Sequence, residues 1–239
     1  MTVYIFSAAA FLICSCTQFF SSSLAPWAAR DPGALVPPVT TGNVKELIEV
    51  AENNPDLSLE VLRGIDKALQ DANDDEKNSL QAAALQAASN ASGMGTAIMH
   101  QAGNISEIME DKDNAKKLVT DVLQDMDNLS DTSNLLVDIL PEPGTPEFDA
   151  FVKKANADDL AIAAAILLAA ESKEQINSGD YFNSFNPNDP AASLNPRENL
   201  AVGLAKSALD KSDEPNSGLS GRLQDILEGL NLLDSTEIP

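Results

Sequence analysis

The chain has 239 residues, which is room for one domain of ordinary size or two small ones. Its hydrophobic fraction is 44% with only 5% aromatic residues, and alanine and leucine dominate that fraction. This mixture favours helices over strands. The formal net charge of −22, from 37 acidic and 15 basic residues, repels phosphate backbones and anionic lipid headgroups. The composition therefore argues against a nucleic-acid-binding protein.

The N-terminus has the features of an export signal. Its first sixteen residues carry no charged side chain, and residues 3–13 form an apolar run too short to span a bilayer. At the end of this run, Ile13, Cys14, Ser15 and Cys16 resemble the lipobox of bacterial lipoproteins. In that pattern, an aliphatic residue stands three positions before the lipidated cysteine and a small residue immediately before it. The resemblance implies a signal peptide over 1–15, a lipid on Cys16, and a place in the cell envelope facing the periplasm or the cell surface.

Other interpretations of the same segment stay open. Ordinary signal cleavage is compatible with Ser23 and, less well, with Ala29. Cys14 and Cys16 form a C-x-C pair, although an apolar leader offers no folded site around a redox pair. The lack of a basic residue before the apolar run is unusual for a signal peptide, and it allows a true start upstream of Met1.

Residues 16–41 are expected to hold the lipidated cysteine and a flexible tether, because serine, proline and alanine are frequent there and no apolar period is sustained. An acidic, all-helical domain is expected over 42–239. Its first helix begins at Val44 and ends at the turn and capping residues of 53–56. The apolar face predicted for the second helix comprises Leu57, Val61, Ile65, Ala68 and Leu69.

Further helices follow in the first half of this domain. A third is predicted over 76–91, with an alanine-rich stripe around Leu85, and two more over 96–110 and 115–126. A short helix over 135–140 ends at the sequence Pro-Glu-Pro-Gly, so that 141–145 is a possible subdomain boundary.

The second half begins with a clear helix start, in which Thr145 is the predicted cap and Pro146 the first helical residue. Residues 160–170 are eleven consecutive apolar residues and predict a helix buried on all sides. Asn195 and Glu198 have the spacing of a capping box. A last helix is predicted over 219–230.

These elements predict an all-α protein of about 8–10 helices, without strands. A short helix, a break rich in Asn and Asp, and a longer helix occur over 44–69 and again over 148–172. Helix pairs of this kind build α-solenoids, and the organisation loosely resembles the helical-repeat lipoproteins of spirochaetes. The positions that define a tetratricopeptide repeat are absent. An irregular helical bundle and a short α-solenoid of helix pairs both fit.

A search for catalytic residues centres on His100, which is the only histidine. Ser89 and Ser92 are its nearest candidate partners for a nucleophilic triad, but neither lies in a nucleophile-elbow sequence. The nearby glycines do not complete a dinucleotide-binding fingerprint, because Ile98 holds the last glycine position. His100 is therefore interpreted as an ordinary surface or packing residue, and no catalytic residue is assigned.

Two acidic segments have the beginning of a calcium-binding loop. Asp71, Asn73 and Asp75 alternate as EF-hand ligands do, but Glu76 replaces the glycine. Asp111 and Asp113 begin similarly, but Ala115 stands at the next ligand position and Lys116 at the glycine position. Both are interpreted as helix-start acids, which the helix macrodipole favours. We expect neither a metal nor a cofactor, since a lone histidine and no mature cysteine also exclude the usual zinc ligand sets.

Three functions are compatible with these sequence features. The preferred one is a lipid-anchored, non-catalytic helical scaffold that binds another protein of the envelope. The alternative is a small-molecule or lipid-binding component of an envelope transport system, in which the helices around Leu85 and over 160–170 line a cavity. The third is an envelope hydrolase, which requires two carboxylates facing each other across a cleft.

Overall fold

The structure is a computed structural model that describes residues 36–94, 126, 128–174, 181, 185 and 193–211. Within these residues the secondary structure consists of helices without strands, as the sequence predicts. The described part contains seven helices: α1 (Val44–Ala51), α2 (Pro55–Leu69), α3 (Asp74–Ser92), α4 (Leu129–Ile139), α5 (Pro146–Lys154), α6 (Ala157–Glu174) and α7 (Pro196–Lys211). The helices predicted over 96–110, 115–126 and 219–230 lie outside the described residues, apart from Met126, which is buried.

Local capping determines where several helices begin. The side chain of Asn54 accepts a hydrogen bond from the backbone N–H of Leu57, and Pro55 is the first residue of α2. Thr145 accepts from the N–H of Phe148 at the start of α5, where Pro146 is again the first residue. The predicted start of α5 is therefore confirmed, and so is the break between α1 and α2 at 53–56.

Helix α6 forms the centre of the second half. All eleven residues of the apolar run over 160–170 are buried, as expected for a helix surrounded by others. Its alanines permit close approach by α3, α4 and α7, all of which contact it. Acidic residues occupy its first turn and Lys173 its last, an arrangement that complements the helix macrodipole.

Helix α3 contacts α1, α2, α4, α5 and α6, so it packs against both halves of the described chain. In an α-solenoid each repeat contacts only its neighbours. The arrangement is therefore that of an irregular bundle, which was one of the two predicted architectures. The Pro-Glu-Pro-Gly sequence at 141–144 separates α4 from α5, and α3 packs against both of these helices.

Two details of packing differ from the sequence-based expectation. In α2, Val61 and Ile65 are buried as predicted, whereas Leu59 and Leu62 are buried in place of Leu57, Ala68 and Leu69, which are half-buried. This difference arises because α2 contacts α1, α3 and α4, so its buried surface is wider than one stripe.

The second difference lies at the N-terminal edge of the bundle. Val39 is buried, and a Cβ atom on Gly64 would clash with its Cγ2 atom. Within the described residues, packing therefore begins at Val39, inside the stretch 16–41 for which the sequence predicts a tether. The glycine at position 64 allows this close approach.

Candidate functional site

A cleft lies between the C-terminal end of α4 and the N-terminal end of α7. Helix α4 ends because the sequence after Leu140 contains two prolines, neither of which can donate a backbone hydrogen bond to continue the helix. The chain then turns at Gly144, whose φ of +83° is in the left-handed region that favours glycine. This turn leaves Pro141 and Pro143 along one wall of the cleft.

The cleft has a volume of about 400 Å³, within the range of pockets that hold small molecules or side chains. Its lining is mainly apolar, with three prolines and the single charged residue Glu142. The lining residues are Val137, Leu140, Pro141, Glu142, Pro143, Leu194, Pro196, Asn199 and Leu200.

The opposite wall is positioned by the start of α7. Asn195 accepts a hydrogen bond from the backbone N–H of Glu198 at 2.9 Å, and the Glu198 carboxylate accepts one from the N–H of Asn195 at 2.9 Å. These reciprocal bonds are the capping box that the sequence predicts. They hold Pro196 and Asn199 at the mouth of the cleft.

Gly203 holds the two walls close together. A Cβ atom at this position would lie 2.6 Å from Cγ of Pro143 and 3.4 Å from the Phe148 ring. Only a glycine in this turn of α7 lets the ring of Pro143 approach the helix so closely. The distance between the walls therefore depends on one small residue.

Arg197 joins three helices beside the cleft. Its guanidinium lies 3.0 Å from Glu171 and 3.0 Å from Glu174, both on α6, and donates a hydrogen bond of 2.9 Å to Oδ1 of Asn134 on α4. Glu174 also accepts from the hydroxyl of Ser130 at 3.0 Å. The side chains of Arg197 and Glu171 are only 13% and 12% exposed, so this ion pair is shielded from solvent.

Hydrogen bonding, burial and nearby charge shift the pKa values of two groups in this network. The hydrogen bond from Arg197 holds the pKa of the Glu174 carboxyl below its ordinary value. Burial, followed by the nearby carboxylate of Glu198, raises the pKa of the Tyr181 hydroxyl, which donates a hydrogen bond of 3.0 Å to Glu198. Glu174 is therefore ionised and Tyr181 neutral at pH 7, and both act as fixed hydrogen-bonding groups.

One further acidic position lies away from the cleft, at the start of α6. Burial, with an added contribution from the neighbouring Asp158, raises the pKa of Asp159. Asn156 offsets part of this shift by hydrogen bonding to the Asp159 carboxylate. Within the described residues, no group of three or more His, Cys, Asp or Glu side chains is arranged to hold a metal ion.

The sequence-predicted positions have different outcomes. Cys16, His100 and the segment at Asp111 lie outside the described residues. Asn73 forms a capping box with Glu76 at the start of α3, which confirms the interpretation of this segment as a helix start. Ser92 is buried on α3, where its hydroxyl donates to the carbonyl of Ser89 at 3.2 Å.

The cleft itself was missed at the sequence level. Pro141, Pro143 and Pro196 stood out only as signals for the end of one helix and the beginning of another. That these prolines line one cleft follows from the packing of α4 and α7 around α6, which local patterns do not encode. The ion pairs of Arg197 were missed for the same reason.

Among the described residues, no helix combines the length and the hydropathy needed to cross a bilayer. Comparisons of the chain with protein-family models, with curated proteins and with solved structures gave no significant match.

Proposed function

We propose that this chain is a lipid-anchored protein of the cell envelope whose helical body binds a segment of a partner protein in the cleft between α4 and α7. The observation that carries the proposal is the cleft itself, which presents mainly apolar, conformationally rigid side chains at the surface. Concave apolar sites with a few polar groups are where proteins most often bind ligands and peptide segments.

The rigidity of the walls supports this role. Proline has a fixed φ, so three of the lining residues lose little conformational freedom when a partner binds. The ion pairs of Arg197 connect α7 to α6, and its hydrogen bond to Asn134 connects α7 to α4 next to the cleft, which holds the walls in place before binding. A preformed site of this kind reduces the entropic cost of association.

Site-specific photo-crosslinking tests the binding role. With p-benzoylphenylalanine at Asn199, inside the cleft, irradiation of intact cells should give a discrete adduct with one protein. The control places the same group at Val50, a side chain that is 69% exposed on α1. Equal adduct patterns from both positions, or none from Asn199, would contradict docking in the cleft.

The lipid anchor is tested separately by metabolic labelling with palmitate. The proposal requires label in the wild-type chain and in Cys14→Ala, and its loss in Cys16→Ala. Label that persists in Cys16→Ala would remove the anchor from the proposal and leave the cleft-binding role standing.

The small-molecule alternative receives less support from the packing. It requires the alanine-rich helices to line a cavity, whereas the alanines of α6 over 160–170 are buried against neighbouring helices and none lines the cleft. The hydrolase hypothesis requires two facing carboxylates, and the lining of this cleft contains one, Glu142. Native mass spectrometry of the purified chain tests the alternative, since a co-purified ligand of constant mass would favour it.

A further inference from the structure

The charges around the cleft indicate the chemistry of its occupant. Glu142 lies in the lining and is exposed, and Asp138 is exposed on α4 directly after the lining residue Val137. Neither carboxylate forms an ion pair with a basic residue in the described part of the chain. Within the described residues, one carboxylate without a basic partner therefore lines the mainly apolar cleft, and a second directly follows the lining residue Val137 on α4.

The basic residues of α7 do not neutralise them. Arg197 is engaged with Glu171 and Glu174 on α6. Lys206 is two helical turns beyond Asn199, which places it about 10 Å further along the helix axis. Among the described residues, the cleft lining therefore carries one negative charge, Glu142, and no positive one, and the net charge of the whole chain is also negative, −22.

From this arrangement we infer that the cleft binds a basic partner segment, in which an apolar side chain enters the cleft and flanking lysine or arginine residues contact Asp138 and Glu142. This partner chemistry rests on the proposed docking role of the cleft. The cleft volume of about 400 Å³ accommodates an apolar side chain together with part of its backbone. A second copy of this chain is a poor occupant, because two bodies of charge −22 repel each other.

Nuclear magnetic resonance titration of the ¹⁵N-labelled full chain tests the inference with two synthetic peptides. One carries leucine between two lysines, and the other carries leucine between two glutamates. The lysine peptide should shift the amide signals of Val137, Leu140, Asn199 and Leu200 and should bind at least about threefold more tightly at low salt. Increasing salt should reduce this preference, because exposed charges are screened.

Charge reversal gives the decisive variants. Asp138→Lys combined with Glu142→Lys should lower the affinity for the lysine peptide about three- to tenfold, because exposed ion pairs are of modest strength. The same variant should raise the affinity for the glutamate peptide. The matched control is Glu46→Lys combined with Glu49→Lys, which makes the same change in net charge at two exposed positions of α1. It should leave the preference intact. All four positions are exposed, and circular dichroism should report unchanged folding for both variants.

The outcomes separate the two levels of the proposal. Shifts at the cleft residues from both peptides, with no preference and no effect of charge reversal, overturn the basic partner but keep the docking site. If neither peptide shifts these signals and p-benzoylphenylalanine at Asn199 gives no discrete adduct, docking at the cleft fails as well. If the α1 control variant loses as much affinity for the lysine peptide as the cleft variant does, binding depends on net charge and the inferred contacts are overturned.

Discussion

Helices α4 and α6 both pack inside the bundle, but different interactions hold them. Every residue of α6 from 160 to 170 is apolar and buried. The buried face of α4 includes two hydroxyl residues, Thr132 and Ser133, and the first turn of α4 lacks a side-chain cap because Asn128 adopts a left-handed conformation with φ of 56°. Helix α6 is therefore held by continuous apolar burial, whereas the buried face of α4 includes polar groups that make its packing less favourable.

Polar contacts on the exposed side of α4 offset the cost of burying these hydroxyl groups. Asp131 is 3.0 Å from Arg63 of α2, and the carbonyl of Ile139 accepts a hydrogen bond of 3.0 Å from Gln81 of α3. Asn134 accepts from Arg197 of α7. Helix α4, which forms a wall of the cleft, is therefore held in part by separate polar contacts, and each of these contacts can be altered without disturbing the core.

The largest effect is expected in α6. Leu167 is fully buried, so Leu167→Ala should lower the free energy of unfolding by about 2–5 kcal/mol through lost apolar contact and the cavity left behind. Urea denaturation followed by circular dichroism measures this change. Leu167→Met keeps the volume and should cost less than about 1.5 kcal/mol. If both variants lose the same stability, α6 is not the tightly packed element described above.

A somewhat smaller effect is expected where α7 meets the loop after α4. Gly203→Ala places a methyl group 2.6 Å from the rigid ring of Pro143, so the loop must shift. Although alanine favours helix formation by about 1 kcal/mol over glycine, we expect a net loss of about 1–2 kcal/mol from overpacking. Gly42→Ala is the control, because its nearest neighbouring atom would be 3.7 Å away. A stabilised Gly203→Ala variant would show that the walls of the cleft adapt freely.

Arg197→Ala tests the polar contacts that join α4, α6 and α7. It removes the Arg197 cation from beside the shielded Glu171, so we expect a loss of about 1–3 kcal/mol at pH 7. Arg63→Ala is the control, because Arg63 is 41% exposed and pairs with the exposed Asp131 and with Glu60 one turn away on α2. This variant should cost at most about 1 kcal/mol.

The effect of Arg197→Ala should also depend on pH. Because Arg197 lowers the folded-state pKa of Glu174 below its ordinary value of 4.5, this pair stabilises the fold above that pH. The contribution is lost as the pH falls through the lowered pKa. The difference between Arg197→Ala and wild type should therefore be largest at neutral pH and should shrink in acid. A difference that stays constant down to pH 3 would exclude Glu174 as the responsible partner.

The sequence predicts those features that depend on atoms within about four residues. The starts at Asn54, Asn73, Thr145 and Asn195 each need one polar side chain and one nearby backbone N–H, and the structure has a side-chain hydrogen bond at each. The burial of α6 is also predictable, because an uninterrupted apolar run has no polar face to leave in solvent.

Features that depend on distant segments could not be predicted in this way. Asn134 and Arg197 are 63 positions apart in the sequence, and neither carries a local signal of their contact. The buried face of α2 extends beyond a single stripe because three helices contact it. The cleft belongs to the same class, since its walls come from separate helices whose distance is set by Gly203 and Pro143.

The smallest change in stability is expected at the buried hydroxyls of α4, where the substitution should stabilise the fold and not destabilise it. Thr132 and Ser133 are fully buried, and their hydroxyl oxygens lack hydrogen-bond partners among the residues that the structure describes. An unsatisfied buried polar group costs free energy, whereas an apolar group of the same shape does not. Because valine has nearly the shape and helix propensity of threonine, Thr132→Val should raise the free energy of unfolding by about 1 kcal/mol.

Ser58→Ala is the matched control for this prediction. Ser58 is equally buried, but its hydroxyl donates a hydrogen bond of 2.9 Å to the carbonyl of Ala51, so its removal should destabilise the fold by about 1 kcal/mol. Opposite signs for Thr132→Val and Ser58→Ala in thermal and urea unfolding would support the contrast between α4 and α6. A loss of stability in Thr132→Val would instead mean that this hydroxyl is satisfied in solution, and the interior of α4 would then be as favourable as that of α6.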